Sequence, residues 1–304
     1  MEHIDFILRQ FGVECLSSEQ IYKTAWRIND THILKVGEDA GQLKRHMLVT
    51  EQLRRFELPV AQIVPTLSGE AFLTEGECHY LLSKILPGKH IGNIFEQDHI
   101  AIAQKSGEVI ARLHLALSSA QPFIECWDNN LLDEMQGWIK DVFEADHYSL
   151  VTKDAFDASA SALAAVYHLL PRQLIHRDMH FGNFLFEDGE VTGYIDFDLS
   201  QINCRVFDLC YFASGLLVDA YQDTGKSEKW FDILKGILAG YERINCLTPE
   251  EKCSIPCIIE CIELLFTAFY TNNNRALAEN AANMHKWTKQ NKAKIENVLE
   301  CKTP

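Results

Sequence analysis

The residues best suited to chemistry lie in one short polar segment, "HRDMHFGN", at positions 176–183. The apolar runs "QLI" and "FLF" lie on either side of it. A buried polar group without a partner costs free energy, so a core strand does not have this composition. Loops held between strands often carry binding and catalytic residues. We therefore interpret the segment as a loop that carries chemistry.

Three side chains in and after this loop, together with Lys35 near the start of the chain, are those that a phosphoryl transfer requires. Asp178 can accept a hydroxyl proton, and the amide oxygen of Asn183 and the carboxylate of Asp196 are hard ligands of the kind that Mg²⁺ prefers. Lys35, near the end of the apolar strand-like run "HILKV", can hold the phosphates of a nucleotide. The pattern predicts a metal-assisted proton and phosphoryl transfer site.

Lys35 needs an acidic partner to aim its long side chain. Glu51 is the first candidate, because Met47 and Leu48 precede it by four and three residues and place it at the apolar face of a predicted helix. An acid at that face is costly unless it is paired. Glu38 is an alternative partner for Lys35. The simpler interpretation of Glu51 is a solvated acid at the edge of the apolar face.

The elements that must position these residues form a strand-rich beginning and a helix-rich remainder. "GVECL", "IYKTAWRI", "HILKV" and "YLLSKIL" have strand composition, the polar "SSEQ" joins the first two, and residues 41–56 have a helical pattern. We predict an α+β fold of two lobes, a small β-rich lobe over residues 1–86 and a large, mainly helical lobe over residues 87–304.

The second predicted lobe contains the chemical loop and its neighbours. Helical spacing covers residues 99–117, 129–146 and 153–170. A hairpin with Asp188-Gly189 at its turn follows the loop. Four helices are expected from Arg205 onward, one of them opened by Thr248, Pro249 and Glu251 as cap, first-turn proline and capping-box acid.

Composition indicates a cytoplasmic protein that does not bind nucleic acid. Of 304 residues, 47% are apolar and 23% charged, and 28 basic against 43 acidic residues give a charge of −15. This charge argues against nucleic acid and would suit a cationic substrate, although many cytosolic proteins are acidic. The start lacks a secretory pattern, Glu260 and Glu263 interrupt the longest apolar stretch, and ten scattered cysteines are expected to be reduced. No membrane partner is expected.

The segment 176–183 matches the protein-kinase catalytic-loop pattern H-R-D-x-x-x-x-N, and the whole chain resembles a related family. It is similar to the aminoglycoside phosphotransferase and choline kinase superfamily, protein-kinase-like enzymes that phosphorylate small molecules. The similarity extends from Val13 to about Phe212. It includes "ILKV", "YLLSKILPG", "GEVIARLH", "LIHRDMHFGNFLF", "GYIDFD" and "RVFDLCYFA".

The resemblance implies a role for each matching position. Asp178 would be the catalytic base and Asn183 and Asp196 the Mg²⁺ ligands, with Lys35 and Glu51 as the phosphate-binding pair. Adenine would meet backbone groups of the hinge residues, and the "SSEQ" loop would cover the phosphates without the glycines usual there. The resemblance implies three further pairs of residues. Lys84 and Leu86 would be the hinge residues, and Ser17 and Ser18 would lie in the covering loop. His176 and Asp208 would be buried supports of the catalytic loop.

One departure concerns the segment "YIDFDLS", where the protein-kinase pattern has D-F-G and this chain has Asp198 in place of the glycine. The metal-binding acid is retained, whereas a glycine-dependent flip of the segment is not expected. Nine residues separate Asp198 from Asp208 and no A-P-E follows, which leaves no room for a peptide-binding activation segment. The acceptor is therefore expected to be small.

The sequence predicts an ATP-dependent phosphotransferase, with GTP as the alternative nucleotide, acting on a hydroxyl of a small molecule in the manner of aminoglycoside phosphotransferases. A choline, amino acid or sugar kinase of the same fold is one alternative, and an inactive kinase-like binding protein is the other. Glu260 and Glu263 either line an acidic acceptor pocket or form a solvated face. The acceptor and the oligomeric state are left open.

Overall fold

The computed structural model describes residues 2–299, apart from the side chain of Glu2, and they divide into two units. Unit 1 contains the chain up to Ile91 with Ser119–Glu125 and Phe181–Ser200; unit 2 contains Gly92–Ser118, Cys126–His180 and the chain from Gln201 onward. These units are discontinuous in sequence, since the segment after the chemical loop belongs to unit 1. The predicted lobes over residues 1–86 and 87–304 stay a prediction.

The N-terminal part of the chain is built on an antiparallel sheet, with strands in the order β1-β2-β3-β6-β4 and β5 paired with β6. The elements are α1 (Glu2–Gln10), β1 (Ser18–Tyr22), β2 (Ala25–Ile28), β3 (His32–Gly37), α2 (Ala40–Arg55), β4 (Ile63–Val64), β5 (Leu73–Glu75) and β6 (Cys78–Lys84). The sheet lies where the strand-rich beginning predicted it.

Helix α1 was not predicted from the sequence. Its residues Ile7 and Leu8, with Phe11 just beyond it, are buried in one cluster with Ile28 and Leu34 of the sheet. Removing this apolar surface from water stabilises the sheet by about 25 cal/mol for each Å² buried. A nine-residue helix is marginal in isolation, so its stability comes from this packing.

The first hairpin differs from the prediction in its register. Ser18 lies inside β1 and pairs with Ile28, and the connection between β1 and β2 is Lys23-Thr24 rather than "SSEQ". The predicted strand "IYKTAWRI" is therefore two strand segments around a turn. Short polar runs do not distinguish a turn from an exposed edge strand, and β1 is exposed along most of its length.

The remainder of the chain is mostly helical, as predicted. Its elements are α3 (His99–Ala120), α4 (Leu131–Gln136), α5 (Trp138–Ala145), α6 (Lys153–Val166), β7 (Arg172–Ile175), β8 (Phe184–Glu187), β9 (Glu190–Tyr194), β10 (Gln201–Cys204), α7 (Val206–Leu217), α8 (Thr224–Glu242), α9 (Pro249–Thr271), α10 (Arg275–Gln290) and α11 (Lys292–Val298). Five helices, rather than four, follow Arg205 within residues 2–299. The predicted helix over 129–146 is two helices, α4 and α5, separated at Gly137.

Helix α9 is the central helix of unit 2. Thr248 and Glu251 form the predicted capping box at its start, with Pro249 in the first turn. By length and composition alone it could cross a membrane, but 78% of its most apolar window is buried inside the protein. That burial is typical of a core helix.

Hairpin β8–β9 has the predicted turn. Asp188 and Gly189 have φ angles of 52° and 80°, the left-handed conformations that a two-residue I′ turn requires. In unit 1, the end of this hairpin opposite the turn carries Asn183 before β8 and Ile195-Asp196 after β9.

Candidate active site

One buried carboxylate, that of Asp208 in α7, fixes the backbone at the start of the 176–183 loop. Asp208 is fully buried and accepts hydrogen bonds from the backbone amides of His176 and Arg177, each at 2.9 Å. The His114 ring lies at 3.1 Å from the same carboxylate and at 2.9 Å from the hydroxyl of Tyr241. Bonds from several directions fix a carboxylate of this kind. The predicted support role of Asp208 agrees with this geometry.

Arg177 is fixed in a conformation that side chains rarely adopt. Its φ angle is 77°, a strained region that costs on the order of 1–3 kcal/mol. Its guanidinium makes two hydrogen bonds, 2.8 and 2.7 Å, to the buried Glu134 and lies 4.5 Å from the centre of the Phe207 ring. Arg177 thus anchors the loop, and no catalytic role was predicted for it.

Asp178 has hydrogen-bond partners on both carboxylate oxygens. The Tyr211 hydroxyl donates to Oδ1 at 2.8 Å, and His180 Nε2 lies 3.4 Å from Oδ2. Burial would raise the pKa of Asp178, but the hydrogen bond and charge of His180, with the hydroxyl of Tyr211 and the charge of His176, hold that pKa below its usual range. Asp178 is therefore ionised at neutral pH, as a proton acceptor must be.

In unit 1, Asn183 and Asp196 lie at the same end of hairpin β8–β9. The carbonyl of Asn183 accepts the amide of Ile195 at 3.2 Å, one residue before Asp196. Asn183 is buried, and Asp196 has a φ angle of 68°, in the left-handed region. The hairpin thus carries both predicted metal ligands at its end opposite the turn.

Lys35 is paired, but not with the predicted residue. Its ammonium lies 2.6 Å from Asp196 Oδ1 and 2.6 Å from Asp198 Oδ2. Glu51 is exposed on α2, so the expected Lys35–Glu51 pair is not formed. The buried face of α2 includes Met47, Thr50 and Leu53, and each residue turns a helix by about 100°, which carries Glu51 beyond that face.

Helix α2 instead contributes Arg45 and His46 to the segment Asp196–Asp198. Arg45 donates to the carbonyl of Asp198 at 2.9 Å, and the Phe197 amide donates to His46 Nδ1 at 3.1 Å. His46, Asp196 and Asp198 can each direct one ligand atom to a common point, with those atoms within 4.8 Å of one another. Neither α2 residue was singled out in the sequence.

The donor chemistry of this cluster suits a further cation. Burial would lower the pKa of Lys35, but the charges of Asp198 and Asp196 and their hydrogen bonds outweigh burial and raise it. The pKa of Asp198 is also raised, first by burial and then by the charge of Asp196, against the attraction of Lys35 and Arg45. Oδ1 of Asp198 is buried without a hydrogen-bond partner. Carboxylate oxygens are donors that a hard divalent ion prefers, so the residues fit a metal site.

The predicted hinge offers fewer backbone groups to a base than expected. The amide of Lys84 donates to the carbonyl of Gln62 at 2.8 Å, which leaves its carbonyl as the remaining backbone group. The Lys84 ammonium lies 2.9 Å from His32 Nε2. Within residues 2–299, no backbone carbonyl accepts the amide of Leu86, and Leu86 packs beside Gly193.

Ser17 and Ser18 lie far from Lys35 in the sheet. Ser18 is opposite Ile28, whereas Lys35 is opposite Ala25, three residues along the same strand. A strand rises about 3.4 Å per residue, so roughly 10 Å separate these positions. The turn Lys23-Thr24, next to Ala25, is the part of the hairpin at the Lys35 end. The predicted position of the phosphate-covering loop is corrected accordingly.

Glu260 and Glu263 do not form a solvated face. Both are buried in unit 2, where Ser159 donates to Glu260 at 2.7 Å and Thr288 donates to Glu263 at 2.8 Å. Burial raises the pKa of Glu263 well above its ordinary value. Cys257 and Cys261 are buried beside Ser159, which agrees with packing rather than metal binding.

Tyr211 is the contributor to the Asp178 site that sequence reasoning missed. It follows Asp208 by three residues in α7, and residues at this spacing lie on the same face of a helix. Because Asp208 was predicted to face the catalytic loop, the spacing itself pointed to Tyr211 as a second residue facing that loop.

Comparison with known proteins identifies relatives in sequence. A family model described as "Phosphotransferase enzyme family" matches residues 17–244. A homoserine kinase of Polaromonas naphthalenivorans (strain CJ2) is 25% identical over 160 residues, 50% of this chain and 47% of that protein. A homoserine kinase of Methylobacillus glycogenes is 23% identical over 249 residues, 75% of this chain and 68% of that protein. The first of these alignments covers less than half of the relative's length.

Solved structures share the fold over most of the chain. An aminopropanol kinase associated with a microcompartment superposes with a TM-score of 0.69 at 16% identity, covering 97% of this chain and 98% of its own. The GDP complex of an aminoglycoside 2'-phosphotransferase gives 0.66 at 14% identity, covering 96% and 98%. An amicoumacin kinase in complex with AMP-PNP and Ca²⁺ gives 0.65 at 18% identity, covering 89% and 84%. These likenesses confirm the predicted protein-kinase-like fold class.

Proposed function

Because this chain belongs to the phosphotransferase enzyme family, we propose that it transfers the γ-phosphate of ATP to a hydroxyl of a small molecule. The observation that carries the proposal is the Lys35–Asp196–Asp198 cluster at the hairpin end that also holds Asn183. This set combines a phosphate-binding cation with carboxylate oxygens, which is the equipment of a nucleotide–metal site.

Asp178 is proposed as the base. Its carboxylate is ionised at neutral pH and is held by Tyr211 and by a loop fixed on Asp208. A base with a lowered pKa does not remove a proton from an alcohol before reaction. It accepts a hydrogen bond from the acceptor hydroxyl, orients it, and takes the proton as the new O–P bond forms. This order suits a loose transition state, in which bond formation lags behind bond cleavage.

Asn183 and Asp196 are proposed to hold Mg²⁺, with Asp198 as a third oxygen donor from the same segment. Bound there, the ion would neutralise charge on the nucleotide phosphates. Lys35 contributes its ammonium to the same phosphates. Arg45 and His46 hold the backbone of Asp196–Asp198 from α2, so that the carboxylates keep their direction.

The hinge is proposed to hold the nucleotide base through two backbone groups. The carbonyl of Lys84 can accept from an exocyclic amino group, and the amide of Leu86 can donate to a ring nitrogen. Adenine has this donor and acceptor pair on one edge, whereas guanine has a carbonyl in place of the amino group. The hinge therefore favours ATP, with GTP as the alternative to be measured.

The acceptor is proposed to be a small hydroxyl compound that also carries an amine. The homoserine kinase relatives act, by name, on a hydroxy amino acid, and one structural neighbour is named for aminopropanol. An acidic protein with a charge of −15 attracts cations at long range. This reasoning favours the amino acid kinase alternative over an aminoglycoside kinase, and L-homoserine is the first compound to test.

The test is an ADP-release assay on the full chain with L-homoserine, 1-amino-2-propanol, choline and kanamycin. We expect turnover with one of the two small amino alcohols that exceeds the rate without acceptor, and loss of it in Asp178→Asn. ATP binding without transfer to any acceptor would instead support a kinase-like binding protein. Equal rates of ADP release by the wild type and Asp178→Asn with every acceptor would contradict the proposed reaction.

A further inference from the structure

We propose that Tyr211 is a positioning residue for the base: its hydroxyl fixes the direction of the Asp178 carboxylate, and through it the acceptor hydroxyl. The inference rests on the proposed function, because it assigns Tyr211 a part in the same transfer. Its basis is the 2.8 Å hydrogen bond that the Tyr211 hydroxyl donates to Asp178 Oδ1. The phosphotransferase family match and the kinase loop pattern do not assign this position.

The Tyr211 ring is clamped between two other rings. The Phe207 ring lies 5.8 Å away at an interplanar angle of 34°, and the Phe266 ring lies 5.6 Å away at 52°. Aromatic pairs at such distances add about 0.5–1.5 kcal/mol beyond their buried area. The hydroxyl is therefore presented to Asp178 by a ring that cannot easily turn.

The Phe207 ring that packs against Tyr211 also contacts Arg177, the residue with a strained backbone. Phe207 lies under the guanidinium of Arg177, 4.5 Å from it, and Arg177 is bonded to the buried Glu134. Arg177 is the residue before Asp178. The base is thus fixed twice by the same set of contacts, once through its backbone and once through the Tyr211 hydroxyl on its side chain.

At neutral pH the Tyr211 hydroxyl is the donor and the Asp178 carboxylate the acceptor of this hydrogen bond. Burial and then the charge of Asp178 raise the pKa of Tyr211, so the phenol keeps its proton and does not compete as a base. A carboxylate has about four lone-pair directions, and one bond on Oδ1 leaves others for an acceptor hydroxyl. His180, near Oδ2, and His176 also face Asp178.

The ring contacts of Tyr211 do not depend on its hydroxyl. Phenylalanine would preserve both ring contacts of Tyr211, so Tyr211→Phe removes the hydrogen bond and keeps the clamp. Tyr221→Phe is the matched control, because Tyr221 also donates a hydroxyl hydrogen bond to a side chain of unit 2, at 2.6 Å to Asn280. A structural effect of losing a half-buried tyrosine hydroxyl would appear in both variants.

The first experiment needs no acceptor. The carboxyl carbon of Asp178 is observed by NMR in protein labelled with ¹³Cγ-aspartate, at a fixed pH of about 7.5, well above the usual carboxyl range. The signal is identified by its loss in Asp178→Asn. We expect Tyr211→Phe to shift this signal and Tyr221→Phe to leave it in place. A signal unmoved in Tyr211→Phe would overturn the inference whether or not the enzyme turns over L-homoserine.

The second experiment measures transfer from ATP with the acceptor of the panel that the wild type uses fastest. We expect Tyr211→Phe to lower kcat about 10-fold, the effect of one hydrogen bond to a charged group, with KM for ATP unchanged. In the Asp178→Asn background the same change should cost less than 2-fold, because the group that it positions is gone. Phe266→Leu, which loosens the clamp, should lower kcat by a smaller factor.

The outcomes separate the two proposals. A wild type that transfers phosphate to nothing in the panel contradicts the proposed function, and the NMR result still decides the hydrogen bond. A wild type that is active while Tyr211→Phe retains its kcat contradicts the role of Tyr211 alone. An equal loss in the wild-type and Asp178→Asn backgrounds would mean that Tyr211 acts on folding or binding, and would also overturn the inference.

Discussion

The two halves of the proposed chemistry are built in different ways. In unit 2, the proposed base Asp178 lies on a framework of hydrogen bonds and buried ion pairs, centred on an Asp208 that is fully buried. In unit 1, the residues proposed to hold phosphate and metal form a cluster in which Lys35 contacts two carboxylates and the Asp196 side chain is 45% exposed. The first region is fixed by its own contacts, whereas the second presents a partly exposed carboxylate to a ligand.

This difference has a physical reason. A base must keep one direction through the reaction, and a buried hydrogen-bond network provides that rigidity. A nucleotide–metal site must admit a highly charged ligand, and a partly exposed carboxylate such as that of Asp196 admits it at a lower desolvation cost. Variants in unit 2 should therefore change rate or folding, whereas variants in unit 1 should change ligand binding.

The largest expected effect is that of removing the base. Asp178→Asn preserves the shape of the side chain and loses its proton acceptor, so kcat should fall by about 10²–10⁴. Nucleotide affinity, measured by calorimetry with Mg·ATP, should stay within a few-fold of wild type. Turnover close to that of the parent would exclude Asp178 as the base.

The next prediction compares the free energy of unfolding of one variant in each of the two regions. Asp208→Ala removes the acceptor for two backbone amides and His114, so the free energy of unfolding should fall by about 3–5 kcal/mol. Asp196→Ala changes a side chain that is 45% exposed and leaves Lys35 paired with Asp198, so it should cost less than about 1 kcal/mol. Urea unfolding followed by circular dichroism compares them. Similar losses in the two variants would abolish the distinction between the regions.

A third prediction concerns ligand binding in unit 1. Asp196→Ala should abolish the Mg²⁺ dependence of ATP binding, because a hard cation loses a charged oxygen ligand. Asp178→Asn, in unit 2, is the control and should keep that dependence. Titration of ATP with and without Mg²⁺ measures both. An Asp196→Ala variant that binds Mg·ATP as tightly as the wild type would contradict the assigned ligands.

A fourth prediction tests which acid holds Lys35. The effects of Lys35→Met and Asp198→Asn on transfer rate should be non-additive by more than about 0.5 kcal/mol, as for residues in contact. Glu51→Gln is the matched control on α2 and should add to Lys35→Met within about 0.3–0.5 kcal/mol. Coupling of Lys35 to Glu51 and not to Asp198 would restore the pair predicted from the sequence.

The smallest expected effect lies outside both regions, at the buried Glu263. Its folded pKa is raised by burial, so the unfolded state ionises first and stability falls as pH rises from its ordinary value of 4.5 through the raised pKa. Glu263→Gln removes that ionisation and should be more stable than wild type by about 1 kcal/mol at pH 8, with a smaller difference at pH 5. The exposed Glu279→Gln in α10 should show no such pH dependence in urea unfolding.

Much of this protein followed from local sequence patterns. The hairpin turn at Asp188-Gly189, the capping box at Thr248 and the polar loop at 176–183 each depend on residues close together in the chain. The family resemblance then predicted the roles of Asp178 and Asp208. The hydrogen bonds of the loop show Asp208 as its support, and the role of Asp178 as the base stays a prediction. Local patterns of this kind are reliable because turn and cap energies are set by neighbouring backbone groups.

The sequence by itself therefore determined the fold class, the catalytic loop and the hairpin that carries Asn183 and Asp196. Only the tertiary structure decided that Lys35 pairs with Asp198, that Glu51 faces solvent, and that Tyr211 reaches Asp178. Each of these depends on the rotation of a helix about its axis or on contacts between distant segments. A rotation of about 100° per residue moves a side chain from the core to solvent, and long-range packing sets it.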